Sequence, residues 1–145
     1  MIQEVAGAPY RDISHSGNKS NVIRELTEEY RNAVGLIDED PGSTPPPKIR
    51  RFTQEKQIPE YSYRLLYDES RNNRLVVLYP RLEEWILNTC RVNDVDVTRF
   101  RLPDNPSRLH NMINYRIPQF RSILEELNNT DHFNSLRTTF ASNET

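Results

Sequence analysis

An α/β fold is predicted: a small central sheet of about four strands, mostly parallel, with a helical C-terminal half. Three observations predict it. Residues 33–37, 63–67 and 75–79 are short, largely apolar runs of strand length. A stretch with helical spacing of apolar residues precedes the first run. Beyond Pro80, four more stretches show that spacing, with no strand-like run between them.

Taken in order, residues 11–16 are a short candidate strand. A helix then begins near Asn18 to Ser20, with Val22, Ile23, Leu26 and Tyr30 on one face. Ala33-Val34-Gly35-Leu36-Ile37 has no polar position and stops at Asp38-Glu39-Asp40. A run without alternation reads as a strand covered on both faces, as in a parallel sheet flanked by helices. Pro45, Pro46 and Pro47 exclude helix and internal strand, so residues 41–47 form a stiff, extended loop. Too little chain precedes that loop to fold alone, so residues 1–145 read as a single domain.

The runs 63–67 and 75–79 are two more strands, and the polar segment around Asn72-Asn73 joins them by a hairpin or a tight connection. Pro80 takes a first-turn position in a helix carrying Leu82, Trp85, Ile86 and Thr89 on one face. Asn105 caps a helix that starts with Pro106, and Leu109, Met112 and Ile113 keep its period. Phe120, Ile123, Leu124 and Leu127 mark a further helix closed by Asn128-Asn129. Asp131 caps a last one with Phe133, Leu136 and Phe140, and residues 142–145 form a frayed tail.

Composition narrows the function classes. A chain of 145 residues buries roughly 70% of its unfolded surface, enough for one core. Mean hydropathy is −0.80, but the apolar residues cluster, which argues against wholesale disorder. No run approaches the ~20 apolar residues of a membrane span. The opening residues lack the pattern of a secretory leader. Cys90 is the single cysteine, so no internal disulfide forms and a reducing, cytoplasmic compartment is expected. A net charge of −2 excludes coating nucleic acid by bulk positive charge. Lys19, Lys48 and Lys56 are the only lysines among 19 basic residues. Arginine forks bind phosphate or carboxylate bidentately, which suits phosphate contacts or protein interfaces. An arginine-preferring genome would produce the same bias.

The strongest constellation is Asp38-Glu39-Asp40 at the end of a buried strand. The carboxyl ends of strands are where open α/β sheets bind ligands. Asp38 and Asp40 are expected on one side, with Glu39 on the other. Two such charges repel, and a divalent cation such as Mg²⁺ relieves that repulsion. A solvated acidic turn is the plain alternative, since Asp, Pro and Gly are ordinary turn formers. Glu83 and Glu84 open a helix after a strand. They read either as favourable charges on the helix dipole or as further acids for the Asp38/Asp40 site. Lys19 and Ser20, at a helix start after Ser16-Gly17-Asn18, offer an anion or phosphate site; simple capping by Asn18 or Ser20 explains the same residues. The GxxxxGK[ST] spacing is absent, so this is not a Walker A loop. His15, His110 and His132 lack zinc-ligand spacing, no GxSxG occurs, and Trp85 reads as core.

The Gly35-Leu36-Ile37-Asp38-Glu39-Asp40 motif after an α/β start resembles the TOPRIM domain of topoisomerases, primases and overcoming-lysogenization-defect nucleases. Residues 66–73, 78–83 and 102–110 are similar to small TOPRIM-like proteins related to those nucleases, so the likeness spans most of the chain. It implies a TOPRIM-like sheet, with Asp38 and Asp40 at the DxD positions holding Mg²⁺ or Mn²⁺. Glu83, or Glu84 in its place, would be the extra metal-site acid. The implied activity is phosphodiester cleavage in nucleic acid, by a nuclease or nuclease subunit, in defence against phage or plasmids. Residues 11–16 would be the family's second strand and residues 33–37 its third. The family's first strand and its glutamate have no counterpart. That departure implies a natural chain starting earlier, or a catalytically degenerate subunit. A degenerate subunit would bind a partner such as an ABC-type ATPase, or oligomerise through an exposed sheet edge.

Overall fold

The computed structural model describes residues 19–112 and 115–142, with side chains through residue 139. The candidate strand at 11–16, the loop residues 16–18, Ile113, the Phe140 side chain and the tail at 143–145 lie outside the described residues.

Four strands and five α-helices are described, in the order α1 (Lys19–Glu28), β1 (Val34–Asp38), β2 (Thr53–Ile58), β3 (Tyr63–Asp68), β4 (Asn73–Leu78), α2 (Leu82–Val92), α3 (Pro106–Met112), α4 (Ile117–Leu127) and α5 (Asp131–Ser142). Short 3₁₀ turns occupy Pro47–Arg51, Pro59–Tyr61 and Val97–Phe100. The sheet order is β1-β4-β3-β2.

The α/β class and the helical C-terminal half match the sequence expectation, but the sheet is mixed rather than mostly parallel. β1 pairs β4 in parallel, with Asp38 opposite Leu78. β3 pairs antiparallel with both β4 and β2. The physical reason is the four-residue link between Asp68 and Asn73, which is too short for a parallel crossover. Asp68 Oδ1 accepts from the Ser70 backbone N–H and hydroxyl, and Asn72 takes the left-handed φ of 53° that closes the turn. A continuous apolar strand reports cover on both faces. It does not report the direction of its neighbours.

That cover is present. On one face, Ile23 and Leu26 of α1 pack against Ile37, Phe52, Leu66, Leu75 and Val77. On the other, Tyr63, Leu65, Val76 and Leu78 meet Trp85 and Ile86 of α2, Leu109 of α3, Ile123, Leu124 and Leu127 of α4, and Phe133 and Leu136 of α5. The buried amide of Asn73 joins α1 to the sheet. It donates to the Leu26 and Tyr30 carbonyls at 2.6 and 2.9 Å and accepts from the Ala33 N–H at 2.8 Å.

Three local expectations change. α1 ends at Glu28, leaving Tyr30 beyond the helix and partly exposed. α2 begins at Leu82 with Arg81 as its N-cap, so Pro80 precedes the helix. Thr130, not Asp131, precedes the first turn of α5, accepting from Asn134 N–H through its carbonyl and from Phe133 N–H through its hydroxyl. Asn105 does cap α3, accepting from the Arg108 N–H at 3.1 Å. Among the described residues, no helix is long and apolar enough to cross a membrane.

Candidate functional site

The site begins where β1 ends. Asp38 is the last residue of the strand, paired with Leu78. The chain then stays against the β4–α2 corner: Glu39 N–H donates to the Leu78 carbonyl and Asp40 N–H to the Pro80 carbonyl, each at 2.8 Å. Asp40 has a φ of 45°, a left-handed conformation that aspartate tolerates better than most residues. The Ser43 N–H and hydroxyl both donate to the Asp40 carbonyl, closing the turn.

Asp38 and Asp40 both make contacts at the β4–α2 corner, but they meet different groups. The Leu82 N–H donates to Asp38 Oδ2 at 3.0 Å. Arg81 supplies no side-chain cap to α2, and Asp38 supplies one from a distant strand. Arg81 Nε donates to Asp40 Oδ1 at 3.2 Å, and its Nη1 donates to Glu84 Oε1, also at 3.2 Å. One guanidinium therefore joins the acid of the β1 loop to the acid of α2.

Glu83 is 8% exposed and points elsewhere. Its Oε1 lies 2.8 Å from His110 Nδ1, and the His110 ring is largely in solvent. The hydrogen bond to Glu83 and the charge of Glu83 raise the His110 pKa above the usual imidazole value. Asp38 and Asp40 add smaller contributions in the same direction, while desolvation opposes. The expected quartet of Asp38, Asp40, Glu83 and Glu84 is therefore split between a helix cap, an arginine clamp and a histidine pair. Histidine spacing gives no signal for His110, and no motif marks Arg81. Arg81 and Glu84 do stand at helical i,i+3 spacing, a readable signal. Nothing in the sequence links Glu83 to His110 across α2 and α3.

The proposed anion site is placed differently. Lys19 Nζ donates to the Glu39 carbonyl at 2.9 Å and to the Ser43 hydroxyl at 3.1 Å, so the ammonium braces the acidic loop. Ser20 is exposed on the first turn of α1.

The carboxylates are hard oxygen donors of the kind Mg²⁺ prefers. Among the described residues, no group of three or more His, Cys, Asp and Glu is gathered to hold a metal ion. Glu84 also borders a cleft of about 610 Å³ walled by Tyr79, Pro80, Trp85, Asn88 and Arg91. Cys90 lines the same cleft, and burial pushes its thiol up to about 11, so it is inert at neutral pH.

No protein-family profile, curated protein or solved structure matches the chain.

Proposed function

We propose that the chain is a TOPRIM-like nuclease, or the nuclease subunit of an assembly, directed at phosphodiesters and dependent on Mg²⁺ or Mn²⁺. One observation supports the reading most. Acids from β1 and α2, far apart in sequence, converge at one corner beside a cleft. A turn or a helix cap alone gives Glu84 no reason to approach Asp40, and like charges brought together need a cation or hydrogen-bond donors to offset their repulsion. Here that cation is Arg81, whose side chain is about half exposed. Binding of a metal at Asp40 and Glu84 requires the guanidinium to leave. In this reading the cleft takes part of the substrate, and nucleic-acid defence is the expected setting.

Plasmid nicking with Mg²⁺ or Mn²⁺ tests the proposal, together with Mn²⁺-induced broadening of backbone NMR signals. Broadening should centre on residues 38–40 and 81–84 and strengthen in Arg81→Ala, which frees both acids. Asp40→Ala should abolish both broadening and nicking. If Mn²⁺ broadens nothing at this corner in either the native chain or Arg81→Ala, the metal reading fails.

A second reading is favoured by the same contacts. Arg81, His110 and the Leu82 N–H already satisfy the four acids without metal, as expected of a catalytically degenerate subunit that binds a partner such as an ABC-type ATPase. Co-purification with a partner ATPase, in the absence of nicking, would favour it.

A further inference from the structure

His132 lies where three elements meet: the Pro59–Tyr61 turn, α2 and α5. Its ring is edge-on to Tyr61 of the Pro59–Tyr61 turn, with centroids 4.8 Å apart, and edge-on to Trp85 of α2 at 6.0 Å. The turn and α2 are themselves joined, because Trp85 Nε1 donates to the Tyr61 carbonyl at 2.7 Å. The next residue of α5, Phe133, stacks on Trp85 at 5.7 Å. His132 is therefore a central contact through which α5 sits on the rest of the molecule.

The residue is only 5% exposed, and its Nδ1 is buried without a hydrogen-bond partner. A neutral imidazole can leave one nitrogen as an unprotonated acceptor. An imidazolium has N–H donors at both nitrogens, and a buried charged donor with no acceptor is strongly unfavourable. The groups bearing on the ring are Glu60 and Tyr61 of the turn and Asp131 of α5, while α2 presents the uncharged Trp85. Glu60 and Asp131 are both exposed, so their carboxylates can receive a charged ring only at the surface.

We propose that His132 is a proton-operated latch: the neutral ring holds α5 against Tyr61 and Trp85, and the protonated ring leaves toward Glu60 and Asp131 and loosens α5. Burial lowers the pKa of the seated ring below the usual imidazole value, and the two nearby carboxylates oppose this without reversing it. The sign follows. The latch is intact above the ordinary imidazole pKa, and it weakens as pH falls through that value toward the lowered one. Between the two, the loosened population grows by up to about tenfold per pH unit. The device is local, because it acts on α5 while β4 stays buried between its neighbours.

Amide exchange of α5 tests this between about pH 7.5 and about pH 5, on either side of the imidazole range, after correction for intrinsic exchange. Trp85, the only tryptophan, gives a parallel fluorescence signal. The expected result is accelerated exchange in α5 at acid pH, unchanged exchange in β4, and a matching change in Trp85 emission. His132→Phe keeps a ring and removes the proton, so its α5 exchange should be flat with pH; His110→Gln should keep the native acid-side acceleration of exchange in α5. The proposal is overturned by flat α5 exchange in the native chain, by the same pH dependence in His132→Phe, or by β4 loosening in step with α5. Should His132→Phe fail to fold, the His132 ring resonances of the native chain decide. A midpoint below the ordinary imidazole value that coincides with α5 loosening supports the latch, and one at or above that value overturns it.

Discussion

The Asp38 carboxylate occupies a place that α2 leaves open, since the Arg81 side chain at the N-cap makes no capping bond to the helix. Loss of a capping oxygen costs about 0.5–2 kcal/mol. Asp38→Ala should therefore lower stability by about that amount, and Asp38→Asn, which keeps an acceptor, by less. Urea unfolding followed through Trp85 measures both; equal losses would mean that the charge matters rather than the cap. His110 gives a second prediction. Its folded pKa is raised by Glu83, so its contribution to stability is full below the ordinary imidazole value. That contribution disappears as pH rises through the raised value. NMR titration should place His110 above an unperturbed histidine, and Glu83→Gln should bring it back toward one. The acidic run itself was legible in the sequence, as was its position at a strand end. Its counterions were not, because an arginine or histidine becomes a partner only once the corner of β1, α2 and α3 exists.

At the scale of elements, the strands with apolar side chains were legible and the polar one was not. β2 reads TQEKQI, and its side chains are exposed along nearly its whole length. Such a strand has no hydrophobic period to detect. It is held by its ladder to β3 and marked by an irregularity between Gln54 and Lys56. β1, by contrast, shows its role through Gly35. A Cβ there would stand 2.7 Å from Leu26 Cδ1 and 2.8 Å from Val22 Cγ1, so any larger residue forces these α1 side chains to shift. Replacing glycine gains ~0.4–1 kcal/mol from the unfolded chain. Overpacking costs ~1–3 kcal/mol, so the clash wins. Gly35→Ala should destabilise by roughly 1–2 kcal/mol in denaturant unfolding. A stabilised variant would mean that α1 moves freely on the sheet.

For the whole molecule, the order β1-β4-β3-β2 sets how tightly each strand is held. β4 has partners on both sides, and Leu75, Val76, Val77 and Leu78 are all buried between the two helical layers. β2 pairs only with β3 among the described residues, and it carries Glu55 and Lys56 on an exposed edge. Charged side chains and an irregular ladder on an edge strand oppose pairing with another chain. Local opening free energies range from near zero at exposed edges to the global value in the core. Amide exchange of the isolated chain should therefore rank the doubly paired β4 slowest, then β3, then β1 under α1, and the amides of the exposed β2 that do not pair with β3 fastest. The ranking separates two states of the sheet. If all β2 amides are as protected as those of β4, a second strand covers that edge, and sedimentation should then show a species larger than one chain. That outcome would place partner binding at β2 despite its charges. The expected gradient instead leaves the β2 edge open in the isolated chain, as its charges favour.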